Sequence, residues 1–311
     1  RSMIDLMRRV APRQVSVLIE GESGTGKEVV ARALHRWSAV AEHDFVAVNC
    51  AALSDTLLES ELFGHVRGAF TGADRDRSGV FAEAKGGTVF LDEVSSMSPS
   101  FQGKLLRVLQ EKVVRPVGSD KDVAVDFRLL AATNRNLEEM VDNGTFREDL
   151  FFRLRVVPVS VPPLRERQQD ILPLALHFLA REAEVCLENQ DSPPEFSHET
   201  ADCLQNHKWP GNVRELENTI MRAMIICCGK IIQPHHLGLD GQQWAEQSTL
   251  SEQDYSRAKQ ATVERFQREF VERALQKSKG NVSQASADCG LTRAAFQKIM
   301  RQLRIDRQSY S

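Results

Sequence analysis

The sequence lacks long apolar runs. No stretch reaches the roughly eighteen consecutive apolar residues that a membrane-spanning helix requires. The first residues, Arg1 to Asp5, also lack the apolar core of a secretory signal. With 41% hydrophobic and 27% charged residues, the 311-residue chain has an ordinary globular composition and room for two or three domains. A cytoplasmic protein that does not enter a membrane is therefore predicted.

Cysteine is sparse and unclustered, since its six residues include no C-x-x-C pair. Neither a disulfide framework nor a zinc site is predicted. Buried thiols in a reducing compartment are expected instead. His235 and His236 lie near Cys227 and Cys228, but one such cluster is a weak metal signal, and we expect no metal there.

Net positive charge is confined to the end of the chain. The segment from Ser256 to Ser311 holds twelve lysines or arginines against five acidic residues, a net charge of +7. Because the whole chain carries −3, the remainder carries −10. An acidic body with a basic tail indicates that only the tail meets nucleic acid.

Short apolar runs alternate with helical stretches in the first half of the chain. This alternation predicts an α/β fold, in which helices sandwich a parallel sheet. The predicted strands are 15–19, 45–48, 88–91 and 127–132. The pattern then changes to three helices without strands, at 171–188, 198–206 and 213–228, which predicts an all-α subdomain. The predicted division is an α/β domain at 1–160, a helical lid at 161–238, a polar linker at 239–262 and a helical C-terminal domain at 263–311.

A glycine-rich segment follows the first predicted strand and precedes a helix. It fits the phosphate-loop pattern G-x-x-x-x-G-K, in which backbone N–H groups and a helix N-terminus surround phosphate oxygens. Lys27 would reach the β- and γ-phosphates of ATP. The alternative is a chance glycine turn, and Glu28 departs from the Ser or Thr that usually holds Mg²⁺ here. The segment comprises Gly21, Glu22, Ser23, Gly24, Thr25, Gly26, Lys27 and Glu28.

Two carboxylates follow the predicted strand 88–91. At the carboxyl end of a parallel sheet they would lie beside the phosphate loop. Asp92 would hold Mg²⁺, directly or through water, and Glu93 would polarise the attacking water. Taken alone, the pair could be a solvated strand end. Its position in the chain after a phosphate loop favours catalysis.

A hexapeptide between these two segments makes the pattern specific. Two glycines and two alanines around an aromatic ring predict a flexible loop, although a buried β-turn with Phe70 in the core is the alternative. The hexapeptide reads GAFTGA and resembles the signature of the NtrC family of bacterial enhancer-binding proteins. Glu61 to His65 before it and Gly21 to Glu28 also match, and the family shares the Glu after the lysine. Its residues are Gly68, Ala69, Phe70, Thr71, Gly72 and Ala73.

The resemblance implies an AAA+ ATPase from about Ile4 to Leu237, with ATP and Mg²⁺ as cofactors. It implies that the hexapeptide contacts sigma-54 in its RNA polymerase holoenzyme. It also implies that Asn49 holds Glu93 back and that Asn134 senses the γ-phosphate. Arg147 and Arg153 resemble arginine fingers, which act on the ATP of a neighbouring subunit in a hexameric or heptameric ring. A local ion pair with Glu148 or Asp149 is the competing interpretation for either arginine.

Two further arginines follow from the same resemblance. Arg214, in the sequence WPGNVREL, resembles the second sensor residue of the lid, where Asn212 would cap the helix and Arg214 would project from its first turn. A cation near a helix N-terminus is unfavourable, so a bound phosphate would explain it. Arg115 lies in a segment that looks like the family's second substrate-facing loop.

The C-terminal pattern predicts a helix-turn-helix. Val282, Ala285 and Cys289 share an apolar face, and Gly290 allows the turn. The pattern resembles the Fis-type domain that ends many such activators, with dimerisation through residues 263–275. A small packing bundle with solvated charges is the alternative. The predicted DNA contacts are Arg293, Gln297, Lys298 and Arg301.

Together these features predict a sigma-54-dependent activator that hydrolyses ATP in a ring and binds enhancer-like DNA. One alternative is another AAA+ remodeller, associated with proteolysis or replication, but those families lack the hexapeptide. A second is a repressor that binds nucleotide without turnover, against which the Asp92–Glu93 pair argues. The family usually carries a receiver or ligand-sensing domain ahead of the ATPase, as in two-component systems. This chain begins at the ATPase, so either that domain is missing here or regulation acts in trans.

Overall fold

The computed structural model describes residues 2–70, 72–186, 194–227 and 231–239, and the single residues Ser278, Val282 and Met300. The chain divides into two units, residues 1–239 and 240–311. Thr71, the predicted linker after Leu239, the predicted dimerisation segment 263–275 and, apart from Val282 and Met300, the predicted helix-turn-helix lie outside the described residues. So do its four predicted DNA contacts, Arg293, Gln297, Lys298 and Arg301.

Helices and short strands alternate along the first unit. The helices are α1 (Ser2–Val10), α2 (Lys27–Arg36), α3 (Asp55–Phe63), α4 (Val80–Glu83), α5 (Pro99–Glu111), α6 (Leu137–Asp142), α7 (Glu148–Leu154), α8 (Ile171–Cys186), α9 (His198–Asn206), α10 (Asn212–Ile226) and α11 (Pro234–Leu237). The strands are β1 (Val17–Glu20), β2 (Phe45–Asn49), β3 (Gly64–His65), β4 (Arg77–Ser78), β5 (Thr88–Asp92), β6 (Val113–Val114), β7 (Val123–Ala124), β8 (Arg128–Thr133), β9 (Val157–Ser160), β10 (Glu195–Phe196) and β11 (Ile231–Ile232).

Five of the strands form one parallel sheet in the order β2-β5-β8-β1-β9. The predicted α/β fold is therefore confirmed. All six residues of β8, the central strand, are buried, and the four between Arg128 and Thr133 are apolar, as is typical of a strand covered on both faces. Because the strands are parallel, their carboxyl ends lie along one edge, where Asp92 ends β5 and Glu20 ends β1.

Alternate residues of each strand face opposite helical layers. Leu18 and Leu129 belong to the core beneath α3, α5 and α7, whereas Ile19 and Leu130 belong to the core beneath α1 and α2. This period-2 alternation places helices on both faces of the sheet, as the sequence predicted.

Arg128, at the start of β8, is a buried charge that the sequence pattern did not mark. Its side chain is 3% exposed, and it bonds carbonyl oxygens rather than a carboxylate. Nη1 donates to the oxygen of Ala11 at 2.8 Å and of Leu34 at 3.4 Å, near the C-terminal ends of α1 and α2. Burial lowers the pKa of the Arg128 guanidinium below its usual value. The cation is stabilised where two helix dipoles present their negative ends.

We expect Arg128→Met to lower the free energy of unfolding by about 2–3 kcal/mol, because the carbonyl groups that it satisfies would stay buried without a donor. Urea unfolding followed by circular dichroism measures the loss. Arg36→Met, at an exposed arginine that ends α2, is the matched control and should have little effect. Equal midpoints for the two variants would contradict this account of Arg128.

The lid has its own core, in which α8, α9, α10 and α11 surround the buried indole of Trp209. The indole N–H donates to the carbonyl of Leu204 at 2.9 Å. The prediction of a lid without strands was wrong in one detail. Glu195–Phe196 pairs with Ile231–Ile232 in parallel. Two-residue strands are too short to show an alternating pattern in the sequence.

The cysteines only partly follow the prediction. Cys50 is buried, Cys227 is intermediate, and Cys203 is exposed, so the expectation of buried thiols is wrong for Cys203, on the outer side of α9. Burial raises the pKa of the Cys50 thiol to about 12, and the nearby charges of Asp92 and Glu93 act in the same direction.

Across the described residues, no helix has the length and apolar character needed to cross a bilayer.

Candidate active site

The glycine-rich segment connects β1 to α2 at the carboxyl edge of the sheet. Gly24 and Gly26 have φ of 76° and 95°, in the left-handed region that favours glycine. At Gly24, a Cβ atom would also lie 2.4 Å from the carbonyl oxygen of Gly211 in the lid. The loop thus needs glycine both for its turn and for its contact with the lid.

Lys27, the first residue of α2, is 8% exposed and directed back into the loop. Its Nζ donates to the carbonyl oxygens of Gly21 at 2.8 Å and Glu22 at 2.9 Å. Burial lowers the pKa of Lys27, while the negative charges of Asp92 and Glu93 partly oppose this shift. The predicted phosphate-binding cation, Lys27, therefore lies close enough to the predicted catalytic carboxylates, Asp92 and Glu93, to interact with them electrostatically.

Asp92 ends β5, and Glu93 follows it with a backbone unusual for its residue type. Glu93 has a φ of 55°, a left-handed conformation that costs a non-glycine residue about 1 kcal/mol. Its N–H donates to Oδ1 of Asp92 at 2.9 Å. Such local strain in a polar residue at the edge of a sheet is typical of functional positions.

Asn49 and Asn134 lie at the same edge of the sheet. Asn49 is paired with Asp92 in the sheet register, but its Oδ1 accepts the N–H of Ala51 at 2.8 Å. Within the described residues, no hydrogen bond links Asn49 to Glu93. Asn134 is exposed and directly follows Thr133, whose carbonyl accepts the N–H of Gly21 at 3.2 Å.

The lid contacts the loop through the start of α10. The N–H groups of Val213 and Arg214 point at the carbonyl oxygen of Gly24, at 2.9 and 3.3 Å. Nη1 of Arg214 donates to Oγ of Ser23 at 3.3 Å. The expected helix cap by Asn212 was wrong. Gly211, which has no side chain, is at the N-cap position, and the amide of Asn212 contacts Glu22 and Ser23 of the loop instead.

Two arginines that sequence reasoning missed also reach this loop. Arg165 binds Glu22 through two hydrogen bonds of 2.7 and 2.5 Å, and Arg167 donates to the carbonyl of Thr25 at 2.8 Å. The hydrogen bonds from Arg165 and then Asn212 lower the pKa of Glu22 to about 2. The available signal was the sequence LRER, which begins four residues after the end of β9, the last strand of the sheet. Two basic residues there can reach back to the loop.

Arg147 and Arg153 lie at α7. Arg147 pairs with Asp149 at 2.7 Å, which is the local ion pair that competed with the finger interpretation. Arg153 donates to the carbonyl of Leu109 at 3.0 Å. Both side chains are exposed, and no contact in the described part of the chain joins either one to its own phosphate loop.

The described residues of the hexapeptide, all but Thr71, lie in the loop that connects β3 to β4. The N–H of Gly68 donates to Ala73 at 2.9 Å, which closes the loop. The alternative of a core phenylalanine was wrong, because Phe70 is only partly buried and its ring centroid lies 5.1 Å from that of His65. The aromatic ring therefore rests on the hairpin rather than inside the domain.

A second hairpin, formed by β6 and β7, supports the first. The N–H of Val117 donates to Gly64 at 2.8 Å, and the N–H of Val66 donates to Val117 at 3.1 Å. Arg115, in the same segment, is exposed and binds Asp122 at 2.8 Å. The two predicted substrate-facing segments thus lie side by side.

The donor set at the edge of the sheet fits a nucleoside triphosphate with Mg²⁺. The charge of Arg214 further lowers the pKa of Lys27, so two cations face one loop, and an anion between them would relieve their repulsion. No cluster of three or more His, Cys, Asp or Glu residues that could hold a metal occurs in the described ranges. Mg²⁺ bound with phosphates needs only one or two carboxylates, and Asp92 would supply one.

Comparison with known proteins gives a consistent result. The family described as Sigma-54 interaction domain matches residues 1–160, and the AAA+ ATPase lid domain matches residues 165–254. The chain is 47% identical over 291 residues to the transcriptional regulatory protein ZraR of Salmonella typhimurium, covering 94% of this chain and 64% of the relative. It is 43% identical to the nitrogen fixation protein AnfA of Azotobacter vinelandii, covering 100% of this chain and 57% of that protein.

A solved structure is similar over nearly the whole chain. The crystal structure of NtrX from Brucella abortus in complex with ADP has a TM-score of 0.70 and 34% identity, and the match covers 98% of this chain and 68% of that one. The chain thus spans between 57% and 68% of the length of these three proteins.

Proposed function

The chain belongs to the sigma-54-dependent activator family, a group of AAA+ ATPases that regulate transcription, and we propose that it remodels the closed promoter complex of sigma-54 RNA polymerase by hydrolysing ATP. One observation carries the proposal. The same domain combines a phosphate loop, a carboxylate pair at the edge of the sheet and a hairpin with a partly exposed Phe70.

ATP would be bound by the segment Gly21 to Glu28, with Lys27 on the β- and γ-phosphates. Asp92 would hold Mg²⁺, which supplies charge neutralisation to the phosphates when bound. Glu93 would accept a hydrogen bond from the attacking water and orient it. Asn134 would report on the γ-phosphate, and Asn49 would restrain Glu93. The side chain of Glu28 pairs with Arg32 at 2.6 Å, so we assign it no metal.

Arginine fingers would act between subunits of a ring, which we propose is a hexamer or a heptamer. Arg147 and Arg153 are exposed. Arg147 binds Asp149, and Arg153 donates to the carbonyl of Leu109, so neither contact is with the phosphate loop of the same chain. Phe152, which lies between Arg147 and Arg153 in the sequence, is 66% exposed and adds an apolar surface beside these two cations. A second copy of this chain would cover that surface and bring the guanidinium groups to its nucleotide.

The hexapeptide would contact sigma-54 differently in each nucleotide state, and this difference would shift the closed complex toward the open one. The proposed division places the ATPase at residues 1–160, its lid at 161–238, a linker at 239–262 and a DNA-binding domain at 263–311. That domain would dimerise on enhancer-like DNA and use Arg293, Gln297, Lys298 and Arg301. The protein would work in the cytoplasm, in response to a sensor domain or a partner.

ATP hydrolysis measured against protein concentration tests the proposal. Turnover per subunit should rise steeply with concentration, because each site needs an arginine from a neighbour. We expect Arg147→Ala to reduce turnover by about 1000-fold, the scale of an arginine finger. Asp149→Asn is the matched control, since it removes the local ion pair and leaves Arg147 in place. Turnover that does not depend on concentration, or equal losses in both variants, would contradict the finger assignment.

Mixing two inactive variants sharpens this test. A subunit with Arg147→Ala keeps Glu93, and a subunit with Glu93→Gln keeps Arg147. Mixed assemblies therefore contain some complete sites and should regain part of the lost activity. Wild-type protein that shows no turnover, or that opens no promoter complex, would instead favour a regulator that binds nucleotide without hydrolysis.

A further inference from the structure

Asn212 is a fully buried polar residue at the junction of three segments. Its Oδ1 accepts the N–H of Leu164, in the connection between sheet and lid, at 2.8 Å. Its Nδ2 donates to Oε2 of Glu22 at 3.2 Å and to the carbonyl of Ser23 at 3.0 Å. Both amide protons and the carbonyl oxygen are therefore used, which leaves this side chain one orientation.

The backbone at this position also depends on the residue type. Asn212 has a φ of 54°, in the left-handed region that asparagine tolerates better than most residues. The next two N–H groups, of Val213 and Arg214, then point at the carbonyl of Gly24. The backbone that carries Arg214 is therefore hydrogen-bonded to the phosphate loop at Gly24.

We propose that Asn212 is a positioning residue, which fixes Arg214 of the lid against the phosphate loop and transmits the conformation of that loop to Arg214. The assignment rests on the proposed ATPase function. Asn212 would not touch the phosphates, because its polar atoms are all engaged by Leu164, Glu22 and Ser23. Under this proposal, an effect of Asn212 on hydrolysis passes through Arg214, whereas a direct effect on the loop at Glu22 and Ser23 would persist when Arg214 is replaced.

Asn212→Asp is the variant that isolates these contacts. It keeps the shape and the acceptor for Leu164, removes both donors, and places a carboxylate beside that of Glu22. Asn206→Asp is the matched control, because Asn206 is an exposed asparagine of the same lid whose amide donates only to the carbonyl of Asp202. Asn212→Gly is a second variant, which suits the left-handed backbone and adds no charge.

The test measures kcat and KM for ATP in the full chain, together with thermal unfolding without nucleotide. We expect Asn212→Asp and Asn212→Gly to lower kcat by about 10- to 100-fold, the scale of a small misplacement of an active-site group. Asn206→Asp should match the wild type. Arg214→Gln should also lower kcat, and combining it with either Asn212 variant should add no further loss, because both changes remove the same action.

The outcomes separate the inference from the function on which it rests. Losses in kcat that multiply in the double variants would overturn the positioning role. So would Asn212 variants that unfold earlier but hydrolyse ATP like Asn206→Asp. Wild-type protein without any ATP hydrolysis would overturn the proposed function, and the inference with it.

Discussion

Glu93→Gln should reduce ATP hydrolysis by about 100-fold or more, the scale of a lost general base, while nucleotide still binds. Glutamine keeps the size of the side chain and a hydrogen-bonding group but cannot accept a proton. Binding should persist because Lys27 and the glycine-rich loop are unchanged. The measurements are steady-state turnover and the thermal shift produced by ATP.

Glu111→Gln is the control for this prediction. Glu111 is an exposed carboxylate at the end of α5, paired with Arg107 at 2.8 Å, and it lies outside the proposed site. It should leave turnover unchanged. If Glu93→Gln hydrolysed ATP as fast as this control, Glu93 would not be the group that orients water, and the left-handed backbone there would need another explanation.

Phe70→Ala should uncouple the two activities of the protein. We expect ATP hydrolysis to stay within about threefold of the wild type, because the ring lies on His65 and not on the carboxylate pair. Formation of open promoter complexes should fall by about 30-fold or more, the scale of a buried aromatic anchor at an interface. Open complexes are counted by their resistance to a DNA competitor under identical ATP turnover.

Phe70→Tyr is the conservative counterpart, since it keeps the ring and should keep most of the activity. Equal loss of hydrolysis and of open complexes in Phe70→Ala would mean that the residue supports the fold of the ATPase. Retention of both activities would place the contact with sigma-54 elsewhere on the protein. Only a selective loss supports the hexapeptide as the contact.

The parallel sheet and its two helical layers were readable because buried strands and amphipathic helices have distinct apolar periods. The strand order was not readable, since β8 lies between β5 and β1 although 35 residues separate it from β5 along the chain. The phosphate-loop pattern was recognisable because its glycines and lysine lie within seven consecutive residues, 21–27. Arg165 and Arg167 were not, because they lie 143 and 142 residues from their partners in the loop and meet them only in the tertiary structure.

By itself, the sequence determined the α/β class, the family and the segments predicted to carry the chemistry, because these depend on local periodicity and on contiguous motifs. Tertiary structure alone decided the partners of particular polar groups. Arg128 binds carbonyl oxygens near the ends of two helices, and Arg147 forms an ion pair with Asp149. Asn212 is not the predicted helix cap but a hydrogen-bonded link between the lid and the loop. Hydrogen bonds and burial depend on which distant residues meet in space, and that information is absent from any single stretch of sequence.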